Sequence, residues 1–455
     1  MSARLAVETF AARAAARLSR LAGTGGGTTI PGKLLWKLDP GAIDALAARL
    51  PQGAALVSAT NGKTTTTAMV ASILGPRTRL AWNRSGANLV SGVASTLLAQ
   101  RDADLGLLEV DEGALAEVAR RMRPRALLLG NLFRDQLDRY GELELVAGRW
   151  RATVAALPDE TALVVNGDDP QVGDLGRDRP STIVFGLDDP SRALPALQHA
   201  ADSRHCVRCG RPYVFAAAYV GHLGDYRCPA CGHARPQLDV VARAIELHGL
   251  ESASFDLVLP GGTVRVRLPL PGLYNVYNAL GAAALAHALG APLEEIRTGL
   301  EDFGAAFGRF ERIVAGDKTL LVLLVKNPAG ANEVVRTLVE GGAPPLLLVA
   351  LNDAIADGQD VSWIWDIDLE PLLERTERLI ASGGRAAELA LRCTYGGLAE
   401  TALEVEPDLA RALARGLELT PPGGQLVVLP TYTAMLALRD LVTEKGLVRP
   451  YWEGA

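Results

Sequence analysis

The residues best suited to chemistry lie in a short polar turn at positions 61–64, with the sequence N-G-K-T. An apolar run precedes the turn and a helix-compatible stretch follows it, which is how proteins hold a nucleotide phosphate on backbone amides. The lysine neutralises charge on the outer phosphates, and the threonine hydroxyl is placed to ligate Mg²⁺. The match to G-x-x-x-x-G-K-[ST] is incomplete, because Val57 occupies the first glycine position. An ordinary β-turn before a threonine-rich helix is the structural alternative. We expect an ATP site formed by Asn61, Gly62, Lys63, Thr64 and Thr65.

Carboxylates follow the predicted strand at 105–110. Glu109 lies near the end of this strand, and Asp111 and Glu112 follow directly after it. Ligands collect at the carboxyl ends of parallel strands. One of the three is expected to complete Mg²⁺ coordination opposite Thr64, since Mg²⁺ usually takes one or two protein carboxylates together with phosphates. A solvated acidic turn is the alternative for each of them. The strand at 126–129 also leads into a polar cluster, residues 130–140, for which we expect a role beside the phosphate loop.

Four of the five cysteines form one group, Cys206-x-x-Cys209 and Cys228-x-x-Cys231, separated by eighteen residues. Four thiolates at this spacing suit tetrahedral Zn²⁺. A closed shell of four thiolates leaves no open position for a substrate, so the zinc is predicted to be structural. Two disulfides are the alternative. Cys393 is expected to be a small buried hydrophobe.

Length and composition limit the class of protein. The chain has 455 residues, which exceeds what one core usually supports, so two or three domains are expected. Its net charge of −6 argues against a protein that binds nucleic acid by neutralising phosphates. No apolar run approaches the length of a membrane span. The first 23 residues carry scattered arginines and predict an amphipathic surface helix, not a secretory signal, with a weak membrane-surface role as the alternative. We expect a cytoplasmic protein.

The order of apolar runs predicts an α/β fold. Strand-like runs alternate with helical patterns from about residue 50 to 200, which is typical of a parallel sheet. An antiparallel-looking stretch follows at 255–268, and a second α/β set begins after the composition shifts near 304–312. We predict an N-terminal lead segment (1–45), a central ATP-binding domain (46–308) with the four-cysteine zinc ribbon inserted at 201–236, and a smaller Rossmann-like α/β C-terminal domain (309–455).

Several motifs together resemble a known family. ATNGKTTT, the strand that ends in Glu109, NLFRDQLDRY and PGLYNVYNAL occur in the order seen in Mur ligases and folylpolyglutamate synthases. The four-cysteine insertion, GRFER followed by LVKNPAGANE, and LNDAIADGQDVSWIWD make the chain similar to the MurT family in particular. The resemblance runs from about residue 20 to the C-terminus. It implies a synthetase-like subunit that pairs with a GatD-type glutaminase and amidates the D-glutamate α-carboxylate of the lipid II stem peptide.

The resemblance also implies roles for single residues. Lys63 and Thr64 match the phosphate-binding lysine and the Mg²⁺-ligating threonine, and Glu109 matches the Mg²⁺-binding acid. Asn278 matches the asparagine that reads adenine, and Lys326 and Asn327 lie where Mur ligases carry a C-terminal-domain lysine near the transferred phosphate. In the family, an aspartate of the C-terminal domain is thought to complete the partner's glutaminase site. The candidates, in order of preference, are Asp357, Asp353 and Asp360.

One departure from the Mur ligases concerns the nucleophile. Gln136 stands where they usually have histidine, and no counterpart of their carbamylated lysine is evident. These differences place the second-metal arrangement in doubt and fit ammonia as the attacking amine. Two other functions are considered: a stand-alone Mur or folylpolyglutamate-type amino-acid ligase, and an ATP-switched binding subunit without catalysis.

Overall fold

The chain folds around two largely parallel β-sheets and a separate β-hairpin. The computed structural model describes residues 30–39, 41–84, 86–135, 142–304, 310–342 and 344–448. Strands and helices are numbered separately along these residues. The strands are β1 (Ala54–Ser58), β2 (Leu80–Trp82), β3 (Leu105–Glu109), β4 (Ala126–Leu129), β5 (Ala162–Asn166), β6 (Thr182–Leu187), β7 (Val214–Val220), β8 (Leu223–Arg227), β9 (Val240–His248), β10 (Ser252–Leu259), β11 (Gly262–Leu268), β12 (Glu311–Ala315), β13 (Lys318–Val322), β14 (Leu346–Ala350), β15 (Arg378–Ser382), β16 (Leu403–Val405) and β17 (Gln425–Pro430).

Helices cover the faces of these sheets. They are α1 (Ile30–Leu38), α2 (Ala42–Ala47), α3 (Lys63–Leu74), α4 (Val90–Ala99), α5 (Leu115–Met122), α6 (Leu143–Ala155), α7 (Pro170–Leu175), α8 (Leu273–Ala288), α9 (Leu293–Glu301), α10 (Pro328–Glu340), α11 (Glu370–Leu373), α12 (Ala386–Tyr395), α13 (Leu409–Leu419) and α14 (Tyr432–Glu444). Short 3-10 turns lie at Pro190–Arg192, Ser362–Asp366 and Glu400–Ala402.

The first sheet has the order β11-β10-β9-β6-β5-β4-β1-β3-β2. Every residue of β1, β3 and β4 is buried, as expected for parallel strands with helices on both faces. The strands from β2 to β9 pair in parallel, and β9, β10 and β11 pair antiparallel. The predicted α/β class, the parallel sheet and the antiparallel stretch are therefore confirmed. Because Val57 of β1 pairs beside Glu109 of β3, the loops after both strands emerge at one edge.

The four cysteines flank the β7–β8 hairpin, which forms a two-stranded antiparallel sheet of its own. Isolated bridges join His205 to Pro212 and Arg227 to Ala234, so each Cys-x-x-Cys segment is folded back as a tight turn. The hairpin packs around the buried ring of Tyr226. The arrangement matches the predicted ribbon-like insertion.

The second sheet has the order β12-β13-β17-β14-β15-β16, with only β12 antiparallel to its neighbour. This smaller α/β unit was expected, although its strand β13 runs from Lys318 to Val322 and ends before the apolar run at 320–325 does. The residues that follow β13 lead instead to the start of α10. The predicted domain boundary at 308 falls in 305–309, outside the described residues, and the domain limits stay predictions.

Two expectations concern membranes. No helix within the described ranges is both long and apolar enough to cross a bilayer. The amphipathic helix expected near the N-terminus falls in residues 1–29, which lie outside those ranges.

Candidate active site

The turn between β1 and α3 has the backbone geometry of an anion-binding loop. Gly62 adopts φ +86°, and no side chain caps the start of α3. A Cβ atom at Gly62 would lie 2.0 Å from Oδ1 of Asn278, so only glycine fits between the loop and α8. The amides at a helix N-terminus attract anions through the helix dipole. The local structure is thus the one that the N-G-K-T spacing predicts.

Lys63 is buried in an ion pair at this loop. Its Nζ atom donates to the carbonyl oxygen of Ala59 and lies 2.7 Å from Oε2 of Glu112. Burial alone would lower the pKa of Lys63, but the charge of Glu112, with those of Glu109 and Asp111, outweighs burial and raises that pKa. Burial likewise opposes ionisation of Glu112, and the charges of Lys63 and Lys326 overcome it and lower the pKa of Glu112. The site therefore holds a charged lysine beside a charged carboxylate.

Glu109 and its neighbours form a buried acidic edge. Glu109 is 2 % exposed, and its Oε1 atom accepts a hydrogen bond of 3.0 Å from Nδ2 of Asn88. The side chain of Asn83 brackets the Glu109 backbone, accepting from its N–H at 2.9 Å and donating to its carbonyl oxygen at 2.8 Å. Asp111 and Glu112 are also buried. Because these carboxylates lie inside the fold, the solvated-turn alternative does not apply to them.

Residues from the second sheet reach over the phosphate loop. Nζ of Lys326 donates to the carbonyl oxygen of Thr60 at 3.1 Å and lies 2.5 Å from Oδ2 of Asp135. Asn327 and Asn61 exchange two amide hydrogen bonds, of 3.2 and 3.0 Å. Nζ of Lys63 approaches the same Thr60 carbonyl oxygen at 3.4 Å. Two ammonium groups, one from each sheet unit, thus converge on one point of the loop.

Asn131 holds the other side of the loop. Its Oδ1 atom accepts from the Asn61 N–H at 2.9 Å, and its Nδ2 atom donates to the Asn61 carbonyl oxygen at 3.0 Å. Asn278, predicted to read adenine, lies in α8 against the loop and receives a 3.4 Å hydrogen bond from the Thr66 hydroxyl. Thr65 is buried within α3, and Thr64 is partly exposed beside it.

Some site residues were not singled out from the sequence. Asn83 and Asn88 lie on the segment after β2, where the only signal was the polar run N-R-S-G-A-N. Asn131 and Asp135 belonged to the flagged polar cluster, but nothing in the pattern assigned them partners. Gln136, which departs from the Mur ligase pattern, lies outside the described residues.

The three candidate aspartates occupy different environments. Asp357 is 6 % exposed, and its carboxylate accepts from both the N–H (2.8 Å) and the hydroxyl (2.5 Å) of Thr433. Asp353 is partly exposed and pairs with Arg385 at 2.8 Å. Asp360 is exposed and accepts from the Ser362 N–H at 2.8 Å. Exposure thus favours Asp353 and Asp360 for contact with another chain.

The thiols of Cys206, Cys209, Cys228 and Cys231 lie within 4.8 Å of one another. The nearest sulfur pairs are Cys206–Cys231 at 3.6 Å and Cys209–Cys228 at 3.5 Å, and all four thiols are free. Burial alone would raise the pKa of Cys206. Hydrogen bonds from the backbone amides of Arg208 and Cys209 outweigh burial and lower this pKa to about 6. Four sulfurs at this separation suit tetrahedral Zn²⁺. Cys393 is fully buried, and burial raises its pKa to about 12.

Known proteins share this architecture. A pseudomurein peptide ligase type C from Methanothermus fervidus superposes with a TM-score of 0.68 at 21% sequence identity, covering 88% of this chain and 80% of that one. MurF from Acinetobacter baumannii superposes with a TM-score of 0.65 at 21% identity, covering 89% and 79%. The chain therefore has the fold of the Mur ligases.

Sequence comparison narrows the class. The Mur ligase middle domain matches residues 57–213, and the MurT ligase C-terminal domain matches residues 324–435. The MurT subunit of lipid II isoglutaminyl synthase (glutamine-hydrolyzing) from Streptococcus pneumoniae is 33% identical over 95% of both chains. The corresponding subunit from Staphylococcus aureus strain N315 is 30% identical over 94% of this chain and 95% of its own. The chain belongs to the MurT family.

Proposed function

We propose that the chain catalyses ATP-dependent amidation of the D-glutamate α-carboxylate in the lipid II stem peptide, yielding D-isoglutamine. The observation that carries the proposal is the convergence of Lys63 and Lys326 on the Thr60 carbonyl oxygen, at the start of an uncapped helix. Two cations at an anion-binding loop suit phosphoryl transfer, in which catalysis is mainly positioning and charge stabilisation.

The reaction has two steps. A carboxylate oxygen of the stem peptide attacks the γ-phosphorus of ATP, and the bond from this phosphorus to the β-phosphate oxygen breaks. The products of this step are ADP and an acyl phosphate on the stem peptide. Ammonia then attacks the acyl carbon, loses a proton, and phosphate departs with the activated oxygen. Lys63 stabilises charge on the transferring group, and phosphate competes with Glu112 for its ammonium. Lys326 brings a second cation from the C-terminal unit.

The cofactor assignments rest on donor chemistry. Thr64 and Glu109 would hold Mg²⁺, which supplies charge neutralisation on the phosphates. Glu109 fits this role because it is a buried carboxylate that accepts one side-chain hydrogen bond among the described residues, from the amide of Asn88. Asn278 would contact the adenine. The four-thiolate cluster would hold a structural Zn²⁺, since it offers four sulfur donors and no further coordination position.

Ammonia is proposed to come from a GatD-type glutaminase subunit in a heterodimer. Ammonia must be neutral to attack, and a shielded delivery keeps it from protonation in bulk water. Cys393 is buried and the other four cysteines form the cluster, so this chain offers no thiol for hydrolysing glutamine itself. The net charge of −6 disfavours nucleic acid as a partner. We place the enzyme in the bacterial cytoplasm, with at most peripheral membrane contact through its lipid-linked substrate.

An aspartate of this chain is proposed to orient the partner's catalytic histidine, the third role in a nucleophile–base–orienter triad. The candidates remain Asp357, Asp353 and Asp360. Glutamine hydrolysis by complexes carrying each aspartate-to-asparagine variant tests them, with complex formation and ATP binding as controls. Selective loss of hydrolysis in one variant identifies the residue. Normal hydrolysis in all three refutes the shared site.

The amidation itself is tested with the purified chain, the glutaminase subunit, a lipid-linked stem peptide, ATP and glutamine. We expect ADP release coupled to an amidated product by mass spectrometry, and product formation from ammonium salts without glutamine. A product that contains an added amino acid and needs no glutamine would instead identify a stand-alone ligase. ATP binding without ADP release or product would identify a binding subunit.

A further inference from the structure

The four-cysteine insertion contacts the loop that carries Asp135. At the hairpin tip, Gly221 adopts φ +57°, and a Cβ there would lie 2.8 Å from the ring of Phe133. The next residue, His222, packs its ring 4.6 Å from the Phe133 ring and is fully buried. Nε2 of His222 lies 3.4 Å from Oδ2 of Asp169, which also accepts the Leu132 N–H at 2.8 Å. The hairpin tip therefore packs against Phe133 directly and contacts the aspartate that binds residue 132.

An ion pair holds the next residue of the same loop. Oδ2 of Asp202, at the start of the insertion, accepts the Arg134 N–H at 2.9 Å, and the Arg134 guanidinium pairs with the same carboxylate. The guanidinium also lies 3.5 Å from Asp366 of the C-terminal unit. The three residues before Asp135 are therefore all held in place, residue 132 by Asp169 and residues 133 and 134 by the insertion.

The insertion and the residues before it also contact the C-terminal unit through Arg336. Arg336, on α10, donates to the carbonyl oxygen of Tyr219 at 2.8 Å and to that of Arg192 at 3.2 Å. Its side chain is only 17 % exposed, so these bonds lie largely out of water. The planar guanidinium presents its donors to the two carbonyl oxygens in a fixed fork, whereas a lysine ammonium is a single compact charge on a flexible stem.

A second polar contact lies nearby. Nδ1 of His199 is 2.6 Å from Oδ1 of Asp368, and Asn332 of α10 exchanges hydrogen bonds with Asp368 at 2.8 and 3.3 Å. Helix α10 begins directly after Lys326 and Asn327, the two residues that reach the phosphate loop. Its position decides whether that lysine reaches its partners.

We propose that residues 192–222, which comprise the flank before the four-cysteine insertion and the first part of the insertion, position the C-terminal unit for the reaction, with Arg336 as the principal positioning residue. The insertion holds both partners of one ion pair: residues 132–134 lead to Asp135, and α10 leads back to Lys326. It thereby sets the two sides of the reaction site in register. The inference rests on the proposed amidation for its kinetic readout.

The test uses the complex with the glutaminase subunit and the variant Arg336→Lys. We expect kcat for amidation to fall about tenfold, with KM for ATP within about twofold of the wild type, because the paired guanidinium hydrogen bonds to the Tyr219 and Arg192 carbonyl oxygens are lost. Amide hydrogen exchange should accelerate in peptides covering 132–135 and 326–333, while β1 and β14 stay protected. His199→Gln, at an exposed position, should show the same pattern more weakly.

The matched control is Arg375→Lys. Arg375 is exposed and donates a 3.3 Å hydrogen bond to the Val339 carbonyl oxygen within the C-terminal unit, so its replacement should change neither kcat nor the exchange of residues 132–135 and 326–333. Wild-type kcat and wild-type exchange in Arg336→Lys would overturn the inference, as would faster exchange confined to 219–222. If the wild-type complex forms no amide at all, the proposed function fails instead. The exchange measurement then still tests whether Arg336 and residues 192–222 position the C-terminal unit.

Discussion

Two helices begin at the reaction site, and their first turns are built differently. Helix α3 starts after Gly62 with no capping side chain. Helix α10 starts at Pro328 and is capped by the preceding Asn327, whose Oδ1 atom accepts the Gly330 N–H at 2.9 Å. A helix with an intrinsic cap has satisfied its own start, whereas an uncapped start keeps its amides for an anion. Helices α4, α5 and α6 also begin without a capping side chain, so the missing cap distinguishes α3 only together with Gly62 and Lys63. On the proposed function, α3 is the helix that binds phosphate and α10 is the helix that follows Lys326.

The comparison predicts the largest effect at the uncapped helix. Lys63→Ala should lower the amidation rate at least a hundredfold while the fold is kept, since losing one such transition-state contact costs about 3 kcal/mol or more. Steady-state kinetics of the complex, with circular dichroism as the control for folding, measures this. Amidation near the wild-type rate would remove the assignment of α3 as the phosphate-binding helix.

The second prediction concerns a buried charge on α10. Glu333 is 2 % exposed, so its carboxyl group is almost completely removed from water. Burial raises the pKa of Glu333 to about 7, against the opposing charge of Arg336. The folded protein therefore holds this proton more tightly than the unfolded chain. The stability contributed by the neutral form is complete below the ordinary pKa of 4.5 and is lost as the pH rises to about 7.

Replacing Glu333 with glutamine should remove that loss. At pH 8, Glu333→Gln is expected to raise the free energy of unfolding by an amount on the order of 3 kcal/mol, and the gain should vanish near pH 4. Urea unfolding at both pH values measures it. The exposed Glu374 provides the control, because Glu374→Gln takes the same charge from the surface. An equal gain at both pH values would show that Glu333 is not the titrating group.

Local features of this site could be predicted from sequence. The apolar run at 54–57 and the N-G-K-T turn predict a strand, a tight turn and a helix within a few residues, and the structure has all three, with Gly62 in a left-handed conformation. The sequence pattern does not predict strand β9, because its exposed residues Arg243 and Glu246 interrupt the apolar run. Only its neighbours β6 and β10 make it a strand.

Long-range pairs could not be predicted. Asn61 and Asn327 are 266 positions apart, and Lys63 and Glu112 are 49 apart. Each residue alone is an ordinary polar side chain at the end of an apolar run. Their pairing depends on how two sheets and an insertion pack, and no local spacing encodes that packing.

The smallest predicted effect separates the cap from the contact across the site. Asn327→Ala removes the α10 cap and should lower the free energy of unfolding by about 1 kcal/mol. Asp408→Ala is the matched change, because Asp408 caps α13 by accepting the Arg411 N–H at 2.8 Å, and it should cost a similar amount.

Only Asn327 also bonds to Asn61 of the phosphate loop, so only its variant should lower kcat, by roughly tenfold. Denaturant unfolding and amidation kinetics on both variants give the two quantities side by side. Equal stability losses with equal kcat would mean that the Asn61–Asn327 pair serves the helix alone, and the delivery of Lys326 would then depend on Arg336 and the insertion.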